Sequence, residues 1–264
     1  MLKIIKQFWQ VNWAEQFQYR ANTLMYLLYW LVSPVVYMSV WISIARTNGG
    51  VGGMQPADFS AYYLVMLAVN ILVSEITLHI LASKIEDGTL SGMLLLPIHP
   101  ILSSTLMNNL AFKALQVIVV IPIMTLLVWL FEPNIQITLT NALLALPAIV
   151  MAFTMRFFLG AVLTFVAFWT TRVYALNNIY YAINSLFSGE FVPLVLLPAG
   201  LLGAANLLPF QLTLYFPTQI LLGHVSATQI WRGYGLQLAW CLAFFTLFAL
   251  LWRAGTKRYS AVGA

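Results

Sequence analysis

The chain has 264 residues, of which 62% are hydrophobic and only 7% charged, with 12 basic and 7 acidic side chains. A water-soluble domain carries about 25% charged residues, so a mean hydropathy of +0.89 excludes disordered, nucleic-acid-binding and secreted disulfide-rich classes and leaves an integral membrane protein. The formal charge of +5 then reads as basic residues held at one membrane face, and the lone Cys241, set in an apolar run, excludes an intrachain disulfide.

Residues 1–22 open with Lys3 and Lys6, but Gln7, Gln10, Asn12, Glu15, Gln16 and Gln18 interrupt any signal-peptide core. Ile5, Trp9, Trp13 and Phe17 recur every four residues and form an aromatic stripe. The segment reads as an amphipathic helix lying in the membrane interface; the alternative is a stripe packed on other helices.

Six apolar stretches follow, at 23–45, 60–81, 114–131, 142–170, 173–188 and 234–252. A bilayer core of about 30 Å takes roughly 20 apolar residues per helix, and backbone in lipid must be helical to satisfy its own hydrogen bonds. The expected fold is therefore all-α, with six spans in a single domain. Lys3, Lys6, Arg20, Lys84, Lys113, Arg172, Arg253, Lys257 and Arg258 fall on one side of these spans; Arg46 and Arg232 fall on the other. That asymmetry places both termini, including the 253–264 tail, in the cytoplasm.

The connections differ in character. Residues 46–59 are Gly-rich and external, 82–100 form the longest cytoplasmic loop, and 132–141 form a short external one. Residues 189–233 are external by topology yet largely apolar, and Pro193, Pro198, Pro209 and Pro217 cut them into pieces too short to span. They are expected to hold two short re-entrant or external helices.

Catalytic motifs are missing from the sequence. It contains no GxxxxGK[ST], HExxH, CxxC or GxSxG, and His79, His99 and His224 are too scattered for a metal site by spacing. No catalytic or metal-ligating set is expected. The informative stretch is 83–100, SKIEDGTLSGMLLLPIHP. Gly88 stops a helix, Thr89 is placed to cap a second short helix through Leu96, and Pro97 and Pro100 end it. An apolar short helix on the aqueous side is either an interfacial helix resting on lipid or a docking knob for a soluble partner.

The run Glu86-Asp87-Gly88-Thr89-Leu90-Ser91-Gly92-Met93-Leu94-Leu95-Leu96-Pro97 resembles the E-x-G-T-L-x-x-L-x-x-x-P signature of type-2 ABC transporter permeases. There it marks the coupling helix between spans two and three. Phe187-Ser188-Gly189-Glu190-Phe191-Val192-Pro193-Leu194, Leu208-Pro209-Phe210, Tyr215-Phe216-Pro217 and the ending Trp252 to Gly263 resemble one bacterial subfamily that often pairs two different permeases with one ATPase. Ser91-Gly92 departs from the acidic or long polar residues of many members. The resemblance implies a permease subunit of a bacterial ABC exporter in the inner membrane, working by alternating access with a second permease, identical or homologous. Two cytosolic ATPase subunits would carry the ATP and Mg, so this chain needs no cofactor and is no enzyme. Glu86, Asp87, Gly88, Thr89, Leu90, Met93, Leu94 and Pro97 become the ATPase-coupling residues. Membrane lipid is the other expected partner, and nucleic acid is not one.

Ionisable groups inside spans mark functional positions, because charge is costly there. Arg156 lies halfway along span four with no acid a turn away, so it pairs with another helix, faces water or snorkels, as a structural pair, a dimer contact or part of a substrate path. Glu75 and His79 sit one turn apart on span two and read as a local hydrogen-bonded pair rather than a proton relay. Asn177 and Asn184 share a face of span five, with Asn178 beside them, and join helices or line a cavity. Glu190 follows Gly189 at the outer end of span five, as a cation-attracting gate or a solvated carboxylate. Few charges line the spans, so amphipathic or hydrophobic solutes, lipids or drugs fit better than sugars. The rival readings are an ion-coupled secondary transporter using Glu75, His79 and Arg156, and a polytopic membrane enzyme, which would need a converging His or acidic cluster.

Overall fold

The computed structural model of the chain describes residues 2–18, 20–170 and 173–259. Among these residues the regular elements are all helical. In order they are α1 (Leu2–Gln18), α2 (Arg20–Asn48), α3 (Pro56–Val73), α4 (Thr77–Glu86), α5 (Leu90–Leu94), a π-helical turn (Ile101–Leu106) running into α6 (Met107–Phe131), and α7 (Leu139–Phe165). There follow α8 (Val173–Phe187), α9 (Ala199–Leu207), α10 (Phe210–Thr213), α11 (Tyr215–Leu221) and α12 (Ala227–Arg258).

Five of these are long and apolar enough to cross a membrane: α2, α3, α6 with its π turn, α7 with its terminal 3-10 turn, and α12. The stretch read as a fifth of six spans forms α8, whose 15 residues reach only about 22 Å at 1.5 Å per residue, against a hydrocarbon core of about 30 Å. The last span is longer than the apolar run 234–252 suggests. Ser226 and Gln229 form a reciprocal capping box that starts α12 seven residues earlier than expected, at Ala227. Arg172 lies outside the described residues.

Span two departs most from expectation. It is not continuous over 60–81: α3 ends at Val73, α4 begins at Thr77, and Ser74-Glu75-Ile76 break the helix between them. α3 is nonetheless the hub of the fold. Phe59, Tyr62, Tyr63, Leu64, Leu67 and Val69 are buried against α2, α6, α7 and α11. A second core joins α7 to α12 through Ala145, Ala148 and Met155 with Phe216 and Phe244.

Along α1, Trp9 stacks on Trp13 at 5.9 Å and Trp13 packs on Phe17 at 5.3 Å, so the aromatic stripe exists. The side chains of Ile5 and Glu15 lie outside the described residues. The amide edge of α1 turns toward the bundle: Asn12 and Gln16 are buried, and Gln16 Nε2 donates to Asn108 Oδ1 at 3.3 Å.

Between α2 and α3, Val51 and Met54 exchange both backbone hydrogen bonds across Gly52-Gly53. Both glycines have positive φ, +58° and +82°, the geometry a two-residue turn of this kind demands. The apolar stretch after α8 divides into more pieces than the two helices expected. It forms a 3-10 turn (Leu194–Leu196), α9, α10 and α11, of which the longest has nine residues.

Candidate functional site

The break in span two exposes backbone groups that a continuous helix would satisfy, and neighbouring polar side chains take them up. Lys113 Nζ donates to Ile71 O at 3.0 Å and Ser74 O at 2.7 Å, and its ammonium lies 4.9 Å from the Phe153 ring centroid. Asn109 Oδ1 accepts from Ile76 N at 2.8 Å, Ser74 Oγ meets Gln116 Oε1 at 3.2 Å, and Glu75 Oε2 accepts from Thr77 N at 2.7 Å. Lys113 was counted above among the membrane-face charges. It is instead an internal ligand of the broken helix, which lowers the basic asymmetry by one without reversing it.

Because α4 starts only at Thr77, Glu75 lies in the break and not on a helix shared with His79. The side chain of His79 lies outside the described residues. Glu75 turns instead onto α7. An ideal Cβ built on Gly160 would lie 2.6 Å from Glu75 Oε1 and 2.7 Å from Oε2, so the carboxylate fits only because position 160 has no side chain.

One turn before Gly160, Arg156 is buried at 6% exposure. Its Nη1 donates to Asn70 Oδ1 of α3 at 2.8 Å, while Nε and Nη2 are buried without a hydrogen-bond partner. Arg156 therefore pairs with another helix of its own chain, and it also lines a cavity. That cavity, about 490 Å³, lies between the Tyr26, Trp30, Ser33 and Tyr37 side of α2 and the Asn177, Asn178, Tyr180, Tyr181 and Asn184 side of α8. Glu75 and Glu190 also line it. Of the six intramembrane candidates singled out from sequence, the structure gathers Arg156, Glu75, Asn177, Asn184 and Glu190 at one cavity. Asn70, Lys113 and the aromatic walls were not singled out. Asn70 was hidden inside an apolar run, and Lys113 reads as a membrane-face charge at the start of span three.

The Glu190 end of the cavity is clamped. Tyr62 Oη donates to Gly189 O at 2.8 Å. Tyr63 Oη and Trp41 Nε1 both donate to Phe191 O, at 3.2 and 3.0 Å. Gly189 has φ +85°, and a Cβ there would lie 2.6 Å from Tyr62 Oη, so glycine is required both for the turn and for the close approach. Glu190, in the loop beyond α8, is neither fully solvated nor on a span. Burial raises its carboxyl above the ordinary range, with the Arg156 charge pulling it back down.

At the opposite end, α4 runs to Gly88, whose φ of +75° ends the helix as expected. Thr89 does not cap α5: it is itself helical and makes no capping bond, and its Oγ1 reaches back to Lys84 O at 3.5 Å. Ser91 Oγ donates to Gly88 O at 2.7 Å, which leaves the first N–H groups of α5 without a side-chain cap. α5 is shorter than expected, ending at Leu94 rather than Leu96, with a turn leading to Pro97.

The coupling candidates separate into two groups. Leu90 is fully buried and packs with Leu81, Ile85, Ile101, Phe157 and Phe165, so it is a root and not a contact surface. Asp87 and Thr89 are exposed, Glu86, Gly88 and Met93 are half-buried, and Leu94, Leu96 and Pro97 are exposed. Leu95, which the sequence reading left out, is the most exposed at 87%. Beneath α5 an aromatic cluster ties the end of α12 to α7. Trp252 packs 5.3 Å from Phe165 and 4.7 Å from His99, and Tyr259 packs 5.9 Å from Phe168. Burial lowers the pKa of His99.

Among the described residues no group of three or more His, Cys, Asp or Glu could hold a metal ion. A family model described as an ABC-2 family transporter protein matches residues 31–263. Neither the curated proteins nor the solved structures hold a match. The family match runs from within α2 past the end of α12 and takes in the broken span, the cavity and α5: the chain belongs to the ABC-2 transporter family and is a membrane permease of an ABC transporter.

Proposed function

We propose that this permease forms half of the translocation unit of an ATP-driven exporter in a bacterial inner membrane, with α5 as its coupling helix. Two cytosolic ATPase subunits bind and hydrolyse ATP with Mg, and a second permease, identical or homologous, completes the path. In this reading the termini are cytoplasmic, and α8 together with its flanking residues makes the sixth crossing. Glu86, Asp87 and Met93 lie at the edge of the ATPase contact, and Leu94, Leu95 and Leu96 enter it.

The carrying observation is the pairing of a buried root with an exposed tip on one short helix. Leu90 anchors α5 in a core shared by α4, α7 and the π turn before α6, while Leu94, Leu95 and Leu96 face outward. A push on the tip therefore moves α4, and α4 ends at the break where Glu75 faces the cavity. Ten residues of α4 make a lever of about 15 Å. ATP-driven closure then changes the cavity by favouring one of two arrangements of α4, which is alternating access described as a population shift.

The test is co-purification of the ATPase with variants. Leu95→Asp is expected to lose the ATPase and ATP-dependent export while the permease stays in the membrane, because an apolar anchor at an interface centre is worth about 2 kcal/mol or more. Asp87→Asn should change little, since rim charges contribute about 0–1 kcal/mol. Retained ATPase and retained export with Leu95→Asp would leave α5 as an interfacial helix and favour an ion-coupled transporter.

A further inference from the structure

We propose that the polar cavity between α10, α11 and the start of α12 holds the phosphate of an anionic membrane lipid, with Arg232 as its cationic anchor. The cavity, about 410 Å³, lies at the end of the bundle away from α5 and is separate from the one that Arg156 and Glu75 line. Its volume falls in the range of small-molecule sites, about 300–1,000 Å³. The inference does not depend on where a substrate passes.

Arg232 is exposed and forms no hydrogen bond or ion pair with the described residues. No acidic side chain is among the described residues that line the cavity. The site therefore presents an unopposed guanidinium, a planar fork that matches a phosphate. Cations are scarce at this end: Arg46 and Arg232 are the basic residues that the sequence puts on this side of the spans.

The neutral groups are biased the same way. Gln229 Oε1 accepts from Ser226 N at 2.8 Å and from Ser226 Oγ at 3.0 Å in the box that starts α12. A backbone N–H only donates, so it fixes the amide with its oxygen turned in and Nε2 as the unbonded end. Gln219, buried at 8% exposure, meets His224 Nδ1 at 3.0 Å through Oε1, and its Nε2 bonds to none of the described residues. Both carboxamides line the cavity, engage their acceptors inside the protein and keep their donors for a ligand. The first turn of the 32-residue α12 adds the positive end of a helix dipole. Donors, one cation and no carboxylate suit an oxyanion.

Position selects a lipid as its source. Arg232 stands just before the apolar run 234–252, where the headgroup layer borders the hydrocarbon core. Trp231, 70% exposed beside it, is an interfacial ring of the kind found at that depth. Leu236 also lines the cavity, and Leu236, Ala239, Ala243 and Leu247 continue the helix face of Arg232, all of them exposed. A phosphate on Arg232 therefore has an open apolar face of α12 below it for its acyl chains.

The test is native mass spectrometry of the transporter purified as it assembles, titrated with dioleoylphosphatidylglycerol, dioleoylphosphatidylcholine, glycerol 3-phosphate and inorganic phosphate. Phosphatidylglycerol is expected to fill a site that outlasts loosely held lipid on collisional activation, and phosphatidylcholine to fill it less well. Arg232→Ala should weaken phosphatidylglycerol about tenfold or more, the worth of a hydrogen bond to a charged group, and Arg232→Lys should fall between the two. Gln219→Glu, which replaces a donor with a carboxylate, should weaken it too. Arg232 has no partner to lose, so Arg232→Ala should fold and melt as the native protein does. Arg258→Ala, at the other end of α12, should leave the site unchanged. Phosphatidylglycerol retention indifferent to Arg232→Ala, or an equal loss with Arg258→Ala, overturns the site. Glycerol 3-phosphate that displaces the lipid at matching concentration, or inorganic phosphate bound through Arg232 in its place, overturns the lipid and leaves a soluble phosphate as the ligand.

Discussion

Replacing Gly160 with alanine is expected to push the Glu75 carboxylate out of its seat on α7. The added Cβ would lie 2.6 Å from Oε1, 2.7 Å from Oε2 and 2.8 Å from Cδ of Glu75. Comfortable heavy-atom contact begins near 3.5 Å, so the carboxyl must withdraw by about 0.7–0.9 Å. Withdrawal stretches the 2.7 Å bond from Thr77 N, which helps close the break between α3 and α4. Overpacking of this kind costs about 1–3 kcal/mol, and a hydrogen bond is worth about 0.5–1.5 kcal/mol net. One displacement causes both losses, so we expect about 2 kcal/mol in all. The assay is reversible unfolding in mixed micelles, run as a double-mutant cycle with Glu75→Ala. With Glu75 gone, Gly160→Ala should be neutral, or stabilising by up to about 1 kcal/mol through helix propensity. An equal penalty in both backgrounds would mean that Gly160 matters for some reason other than Glu75.

Asn70→Ala removes the hydrogen bond that the structure gives the Arg156 guanidinium and should destabilise the protein by about 1.5–3 kcal/mol. Asn70→Asp, which offers an acceptor of opposite charge, should recover most of that loss in the same unfolding assay. Tyr62→Phe should cost about 0.5–1.5 kcal/mol and speed proteolysis of the 189–191 loop, while Gly189→Ala should cost more because it adds a positive-φ penalty to the contact with Tyr62. Leu90→Asp buries a carboxylate in the core under α5 and should abolish membrane accumulation, whereas Leu95→Asp should accumulate normally. Equal accumulation of the two would contradict the division of α5 into root and tip.

Much of the helix plan was legible in the sequence because lipid imposes one rule on all spans, and apolar run length reports it. Gly88 marked the end of α4 because a left-handed glycine stops a helix wherever it stands. Three features were not legible. The break at 74–76 lies inside an apolar run and is stabilised by Lys113, Asn109 and Gln116, more than thirty residues away in sequence, so no local signal announces it. The shared cavity joins residues from α2, the break, α7 and α8, which only tertiary packing brings together. Thr89 had the right chemistry for a cap, but its Oγ1 turns back to Lys84 O and caps no backbone N–H of α5.

The central claim is that α5 meets an ATPase, and its most direct test is photo-crosslinking in intact cells. A photoreactive amino acid at Leu95, 87% exposed just beyond α5, should yield an adduct with a nucleotide-binding ATPase that strengthens under nucleotide trapping. The same residue at Leu139, 78% exposed at the far end of the bundle, should yield none. An ATPase adduct from Leu139 and not from Leu95, or lipid adducts alone from Leu95, would contradict the account.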